Sequence, residues 1–557
     1  ELLKKQLEVF ELDAATGEET GKLYQQRQYV FSMPRPDRLL VAAESHDALL
    51  LSFPALDTLA HFRQKVNNGH NVTAFPGNNR VFVGNSIEPT RVWDFDQGKM
   101  VQTLPPTSDI SLYASAGLNK LVWSSTDGIE NYDPVENVKG RYNFDNAYSG
   151  WGITFTPDGK RAVLTNYTGA VVFYDLAADR ETVRIKPVEN KAPSAAAVSP
   201  DGTVVALSYS ATGALKLFRL ADGKELRSAP FENAYGIAWM RDGRIALGGK
   251  GTCWVLDGKT LAVIKTFTID LEKPIGRMAW LPGSNRAVCV IDNYRDNLLL
   301  IDFDKGFAQR RFIGHSDYSN RVVVLPDGKH FVSASFDNTI RVWDAGLERE
   351  LCQLYSFIGS DDWVAVAPDG RFDGSQGGIE QLYYSKGTQV IALSALYEKF
   401  YTPNLVSRML KGDIPATPEK PEDNVQKLKS PPTVRIVVPA TLKSTGGGRY
   451  ETADAGISLT LEASCPDDGI SEIRLFQNGK LLGGGTRNLI VEDDLPTTKN
   501  QSFTISLVAG ENTFRAVAIN SQRTESAPEE ITVLFRPAGN SQVAPASMIN
   551  LWLVVVG

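Results

Sequence analysis

Between about residue 30 and residue 375 the chain alternates apolar and polar positions in short runs, and polar turns break the runs. Period-two alternation puts one set of side chains on each face of an extended strand, so these runs predict strands rather than helices. The runs recur as a unit. An apolar strand meets a Pro-Asp-Gly turn, then a second apolar strand, a polar turn, a third strand ending in Trp-Asp or a variant of it, a Gly-containing turn and a fourth strand. Val322 to Phe357 shows it best, VVVLPDGKHFVSASFDNTIRVWDAGLERELCQLYSF. The frame is weaker but present in WGITFTPDGKRAVLTNYTGAVVFYDL, in AAAVSPDGTVVALSYSATGALKLFRLADGKEL and in NVTAFPGNNRVFVGNSIEPTRVWDFDQGKMVQTL.

First-strand positions fall near Val30, Val72, Ile110, Ile153, Ala195, Ile237, Ile275, Val322 and Val364. They span 334 residues in eight intervals, a mean of about 42. A four-stranded propeller blade needs roughly 40–45 residues, and the Pro-Asp-Gly turns inside each unit exclude helical repeats of similar length. The first 25 residues, with QLEVFELDAATGEETGKLYQ, read as the third and fourth strands of a blade, and Trp363 to Ser375, WVAVAPDGRFDGS, as its first and second. A ring whose termini share a blade leaves no open sheet edge. The expectation is an all-β chain opening with a large β-propeller over residues 1–376, of eight or nine blades, closed by that shared blade.

One segment resembles the WD-repeat family at identifiable residues. Gly314-His315 matches the pair that opens such a repeat, Asp337 lies in the tight turn after the second strand, and Trp343-Asp344 closes the third. The resemblance implies a hydrogen-bonded network inside one blade made of His315, Ser335, Asp337 and Trp343, with Ser333 as the alternative hydroxyl. Gly69-His70 and Trp93-Asp94 echo the pattern without the turn Asp. Such a network accounts for His315 and Asp337 without a metal or a catalytic pair, because neither a third ligand nor a nucleophile stands at a matching spacing.

Beyond Gly374 the period fails. Over residues 377–411 Leu393, Leu396, Tyr397, Phe400 and Tyr401 stand at helical spacing and predict a short helical segment against the ring. Residues 412–432, GDIPATPEKPEDNVQKLKSPP, read as a Pro-rich, charged linker. Residues 433–537 hold six alternating runs, with Asn478-Gly479 as a hairpin turn, and predict an immunoglobulin-like or fibronectin-like β-sandwich. Its acidic stretches, Asp467-Asp468 and Glu492-Asp493-Asp494, read as solvated turns rather than calcium ligands. In residues 538–557 a polar spacer leads into NLWLVVVG, the pattern of a strand buried on both faces.

Charge and composition narrow the function. The net charge of −7 argues against nucleic acid as the main partner, and no apolar run reaches the ~20 residues of a membrane span. Cys253, Cys289, Cys352 and Cys465 share no metal-type spacing and read as buried thiols, which fits the cytoplasm, or the periplasm if a signal peptide preceded Glu1. The five histidines (His46, His61, His70, His315 and His330) are scattered, and neither a Gly-x-Ser-x-Gly elbow nor a phosphate-cradling loop occurs. The sequence offers no catalytic residues, no metal site and no cofactor site. It predicts a protein partner on a ring face. Tyr148, Trp151, Tyr235, Tyr294, Tyr318 and Arg321, near first-strand starts and turns, are the candidate interface.

The order of parts resembles bacterial WD-repeat proteins that end in a caspase-like cysteine peptidase domain. The segments that carry the resemblance are DWVAVAPDGRFDGS (Asp362 to Ser375) and NLWLVVVG (Asn550 to Gly557). It implies a recognition and regulatory region whose sandwich positions a peptidase, with NLWLVVVG as that domain's first strand. None of the four cysteines sits in the family's catalytic context. A non-enzymatic scaffold for protein assembly is the alternative.

Overall fold

A computed structural model describes residues 71–537 apart from 76, 78, 85–87, 108–111, 116, 126–127, 144–149, 167–168, 186–190, 271–272, 292–296, 387–388, 417–424 and 483–494, together with the backbone of the strands between residues 7 and 62. Seven four-stranded antiparallel sheets follow one another, at 28–62, 71–104, 113–141, 150–185, 195–230, 234–268 and 275–312, and a six-stranded sheet follows whose first four strands span 319–356. Those from 71–104 to 319–356 are called blades 1 to 7. Second and third strands are buried almost throughout, as in Val204–Tyr209 and Leu298–Asp302, because neighbouring blades cover both faces of each sheet. Fourth strands such as Arg180–Ile185 are largely exposed.

Aspartates set two kinds of turn in the blades. In the Pro-Asp-Gly and related turns Asp158, Asp201, Asp242 and Asp327 accept from the backbone N–H two residues on, at 2.8 to 3.1 Å. At the end of the third strand Asp94, Asp133, Asp175, Asp257 and Asp344 each accept from two successive backbone N–H groups. This is the work of the Asp in Trp-Asp: it folds the chain back into the fourth strand. Four residues beyond each of these aspartates, at Gly98, Asn137, Asp179, Leu261 and Glu348, the backbone is left-handed, with φ between 50° and 71°.

The ring closes over seven sheets. The first strand of blade 1, Asn71–Ala74, packs against the first and second strands of blade 7, Ser319–Val324 and His330–Ser335. One apolar cluster runs across the seam, with Val72, Val83 and Trp93 on one side and Val332, Val342 and Leu354 on the other. The sheet at 28–62 forms, in line with at least eight blade-like sheets, but it does not lie between blades 7 and 1. The expected shared blade differs in its pairing. Leu7–Leu12 and Glu19–Gln26 pair with each other, whereas Trp363–Val366 adds to the outer edge of blade 7 (Leu354↔Ala365) and Phe372–Gly374 adds beyond it. An open edge strand offers the same row of donors and acceptors whichever chain segment arrives, and the fourth strand of blade 7 lies only a short turn away.

The added hairpin acts as a clasp. Its ends are tied by Ser375 Oγ donating to Asp362 Oδ1 at 2.7 Å. Trp363 meets Trp93 of blade 1 edge-on, with ring centroids 5.7 Å apart. Buried Arg91 of blade 1 donates through Nη2 to the Phe357 carbonyl at 2.9 Å. The helix Leu405–Lys411 buries Leu405, Val406 and Met409 in the seam cluster, and Ser407 Oγ donates to the Asp96 carbonyl at 2.8 Å.

The chain divides into two compact units, one comprising Glu1–Pro368, Phe372–Gly378 and Asn404–Thr417, the other Asp369–Arg371, Ile379–Pro403 and Pro418–Gly557. The helical segment expected at 377–411 is thus split. Leu405–Lys411 belongs with the ring, whereas the hairpin Tyr383–Lys386/Gln389–Ala392 and the short turns of helix over Leu393–Leu396 and Tyr397–Phe400 belong with the second unit. That unit is a two-sheet β-sandwich. A three-stranded sheet of Thr433–Val437, Gly456–Ser464 and Thr498–Ser506 faces a six-stranded one, and Leu459 and Leu461 share a core with Leu475, Phe514 and Val533. Asn478 and Gly479 both have positive φ (50° and 80°), which is what a two-residue hairpin turn requires, and Gln477 pairs with Lys480 across it. Asp467 accepts from the Ser430 backbone and hydroxyl, and Asp468 from the Ser521 hydroxyl, so both serve as turn anchors. Glu492-Asp493-Asp494 and NLWLVVVG lie outside the described residues.

Candidate functional site: the blade 7 network and the inner-strand arginines

Blade 7 places its polar residues on two neighbouring strands and on the segment that leads into its first strand. His315 precedes the first strand, Ser333 lies in the second and Trp343 in the third. His315 Nδ1 contacts Asp337 Oδ2 at 2.9 Å, and His315 Nε2 contacts Ser333 Oγ at 2.7 Å. The Trp343 indole N–H donates to Ser333 Oγ at 2.8 Å. Asp337 is an ionised acceptor, so Nδ1 carries the imidazole proton and Nε2 accepts from the serine hydroxyl, which in turn accepts from the indole. Asp337 also accepts from the Ser316 amide at 3.0 Å and from the Thr339 amide and hydroxyl at 2.9 and 2.6 Å.

The hydroxyl in this network is Ser333, which corrects the assignment of Ser335. Both serines point to the same sheet face, two positions apart. Phe331 stands opposite Trp343 in the register and Ser333 opposite Arg341, so the indole reaches the diagonal Ser333. Ser335 lies one step further on, near the turn, where it donates to the Asp317 carbonyl at 3.0 Å and accepts from the Asp337 amide at 3.1 Å. Gly314 has a steric reason to precede the histidine: a Cβ there would stand 2.7 Å from Arg341 Nη1 and 3.0 Å from the Trp343 ring.

Burial sets the electrostatics. It lowers the His315 pKa, outweighing the pull of Asp337, so the imidazole is neutral. Burial alone would raise the Asp337 carboxyl, but the bonds from His315, Thr339 and Ser316 hold it well below the usual carboxylate range. A neutral, fully bonded histidine beside a fixed carboxylate is a structural strut. The buried thiols behave accordingly: burial pushes Cys253 up to about 12 and raises Cys289 and Cys352 as well, the opposite of what a thiolate nucleophile needs. Among the described residues no three His, Cys, Asp or Glu side chains cluster as a metal site.

The candidate interface residues separate. Tyr148 and Tyr294 lie outside the described residues. Trp151 is in the strand Gly150–Phe155, with its side chain outside them. Tyr235, half-buried, starts the inner strand of blade 5, and Tyr318, half-buried, stands just before that of blade 7, with its ring 6.2 Å from Phe336. Arg321 is drawn inward rather than displayed on the surface. It donates to the Leu112 carbonyl and lies over the Tyr113 ring of blade 2, 3.8 Å from its centroid. The sequence reading missed three features: the His330 contact with Asp327 at 2.5 Å, the Arg91 clasp, and Arg277 near Arg321. His330, three residues after the turn Asp, was findable from spacing. The two arginines were not, because their partners are hundreds of residues away or on another blade.

Residues 306–344, from the fourth strand of blade 6 to the third of blade 7, match the family described as WD domain, G-beta repeat. Apoptotic protease-activating factor 1 of Rattus norvegicus is 30% identical over 176 residues, 29% of this chain and 14% of that protein. Small ribosomal subunit protein RACK1 of Drosophila melanogaster is 36% identical over 62 residues, 10% of this chain and 20% of that protein. Protein groucho, also of Drosophila melanogaster, is 29% identical over 98 residues, 16% of this chain and 13% of its own length. The chain therefore spans a fifth or less of these relatives.

Proposed function

We propose that this chain, a propeller of WD-repeat type joined to a β-sandwich, is a protein-recognition region that regulates a caspase-like cysteine peptidase. The propeller binds a protein partner or substrate on one ring face, and the sandwich, of immunoglobulin-like or fibronectin-like kind, positions the peptidase. The observation that carries the recognition half is the ring itself. Its His-Ser-Asp-Trp network, a neutral histidine bonded to a fixed carboxylate, is closed on itself, while its side-chain variety is presented along inner-strand ends and connecting loops. Protein partners are what such rigid, loop-decorated rings suit.

The peptidase half is supported by the resemblance carried by Asp362 to Ser375 and Asn550 to Gly557, and by a relative whose name describes a protease-activating factor. On this reading the chain comes from a bacterium and works in the cytoplasm, a compartment compatible with four buried free cysteines. A second reading, a scaffold without an enzyme, is favoured by the match to a ribosomal subunit protein. Fluorogenic peptides ending in Arg, Lys or Asp, incubated with the full-length gene product and with a variant lacking its cysteine nucleophile, decide between them. Cysteine-dependent cleavage supports the regulatory arm. Partner binding with no cleavage leaves the scaffold. Cross-linking followed by mass spectrometry tests recognition itself: partner cross-links gather around Tyr235 and Tyr318, and cross-links confined to the sandwich refute it.

A further inference from the structure

We infer that the end of the propeller channel between Arg277 and Arg321 receives a carboxylate from an acidic peptide segment of the partner protein. This rests on the recognition reading above and adds the chemistry of what is recognised.

The two arginines occupy the same place in adjacent blades. Each follows a break in register on the inner strand, between Ile275 and Arg277 in blade 6 and between Ser319 and Arg321 in blade 7. Blades 3 and 5 have the same irregularity, ending at Gly152 and Gly236. A bulge re-aims the side chain that follows it. Where the fold alone decides, that position takes glycine, so the fold does not demand arginine at the other two.

Neither arginine meets a carboxylate among the described residues, although the chain is acidic overall. Some of its other arginines are paired: Arg244 bonds Asp242 and Asp304, and Arg341 bonds Glu350. Arg321 spends one Nη on the Leu112 carbonyl and its face on Tyr113. Burial lowers its pKa to about 10, and the charge of Arg277 acts in the same direction. Tyr113 feels both cations. Two like charges, with no carboxylate among the described residues to offset them, form a receptor for one.

The class of anion follows from the donors left over. The fork of Arg277 is uncommitted among the described residues, whereas Arg321 is mostly committed. One free fork suits one planar carboxylate, held by two parallel N–H···O bonds, better than a phosphate dianion with three oxygens to satisfy. Arg321 reaches from blade 7 to blade 2, and an acidic side chain on a strand lying across the ring inserts beside it.

The test is fluorescence anisotropy of the full chain with a labelled Glu-Gly repeat peptide at low ionic strength, against the same peptide with Gln and with phosphoserine in place of Glu. The Glu peptide binds and the Gln peptide does not. Arg277→Gln weakens the Glu peptide by about tenfold or more without moving thermal unfolding, and Arg277→Lys falls between. Equal binding of the Gln peptide overturns the inference, as does unchanged affinity in Arg277→Gln or tighter binding of the phosphoserine peptide. If Arg321→Gln fails to fold, the Arg277 variants still decide. Partner cross-links around the ring that persist undiminished in Arg277→Gln defeat this site while leaving the recognition function standing.

Discussion

Trp343 donates its indole N–H to Ser333 Oγ at 2.8 Å, and the same oxygen lies 2.7 Å from His315 Nε2, so one hydroxyl serves two buried rings. Ser333→Ala leaves both rings without a partner in a site closed to water. It should cost about 2–3 kcal/mol, and Ser335→Ala, which removes bonds at a turn, about 1 kcal/mol. Urea denaturation of the two variants checks the order. A larger loss in Ser335→Ala would return the network to that residue.

The same blade should weaken in acid. His315 has a folded pKa below its ordinary ~6.5, so the unfolded chain takes up a proton more readily, and stability falls as pH drops from about 6.5 toward the folded value. Asp337, depressed in the folded state, adds a second loss that begins below about 3.9. The midpoint of urea unfolding should therefore be lower at pH 5 than at pH 7.5. His315→Asn should be less stable at neutral pH and flatter between the two.

Glu348 holds a left-handed backbone, φ 55°, at the position where Gly98 stands in blade 1. Its ion pair with Arg310, at 3.7 Å between half-exposed groups, contributes little. Glu348→Gly should stabilise the chain by about 0.5–1 kcal/mol, because glycine adopts this conformation without strain. Leu261, at the same place in blade 5, has φ 61° but is buried in a core cluster, so Leu261→Gly should be destabilising. Opposite shifts in melting temperature are the expected readout.

Gly98 lies where a Cβ would come 2.9 Å from the Ser407 backbone nitrogen, and its φ is 71°. Gly98→Ala should push the helix Leu405–Lys411 off the seam at a cost of about 1–3 kcal/mol. Limited proteolysis reads this directly: cleavage at Arg408 and Lys411 should accelerate in the variant.

Much of this architecture was legible. The strands near Val72, Ile153, Ala195, Ile237, Ile275 and Val322 form where alternation and Pro-Asp-Gly turns place them. The Asp of Trp-Asp acts on its own next few residues, so a local pattern reveals it. What closes the ring was not legible. A strand such as Trp363–Val366 carries the same alternation whether it starts a new blade or extends the previous one, and only competition between distant edges decides. The site followed the same division. His315, Asp337 and Trp343 stand out by spacing, but choosing Ser333 over Ser335 needs the cross-strand register, and the environment of Arg321 is built by blade 2.

Closing a ring with side chains has a mechanical consequence. Six of the joints between blades are spanned by a short covalent connection, and the seventh, between blades 7 and 1, by packed rings, Arg91 and a helix. A force that spreads the ring should act first on that joint, parting it while every four-stranded sheet keeps its ladder. The molecule then behaves as a bracelet with one catch, and whatever holds Phe357, Trp363 and the helix Leu405–Lys411 in place sets how firmly that catch is shut.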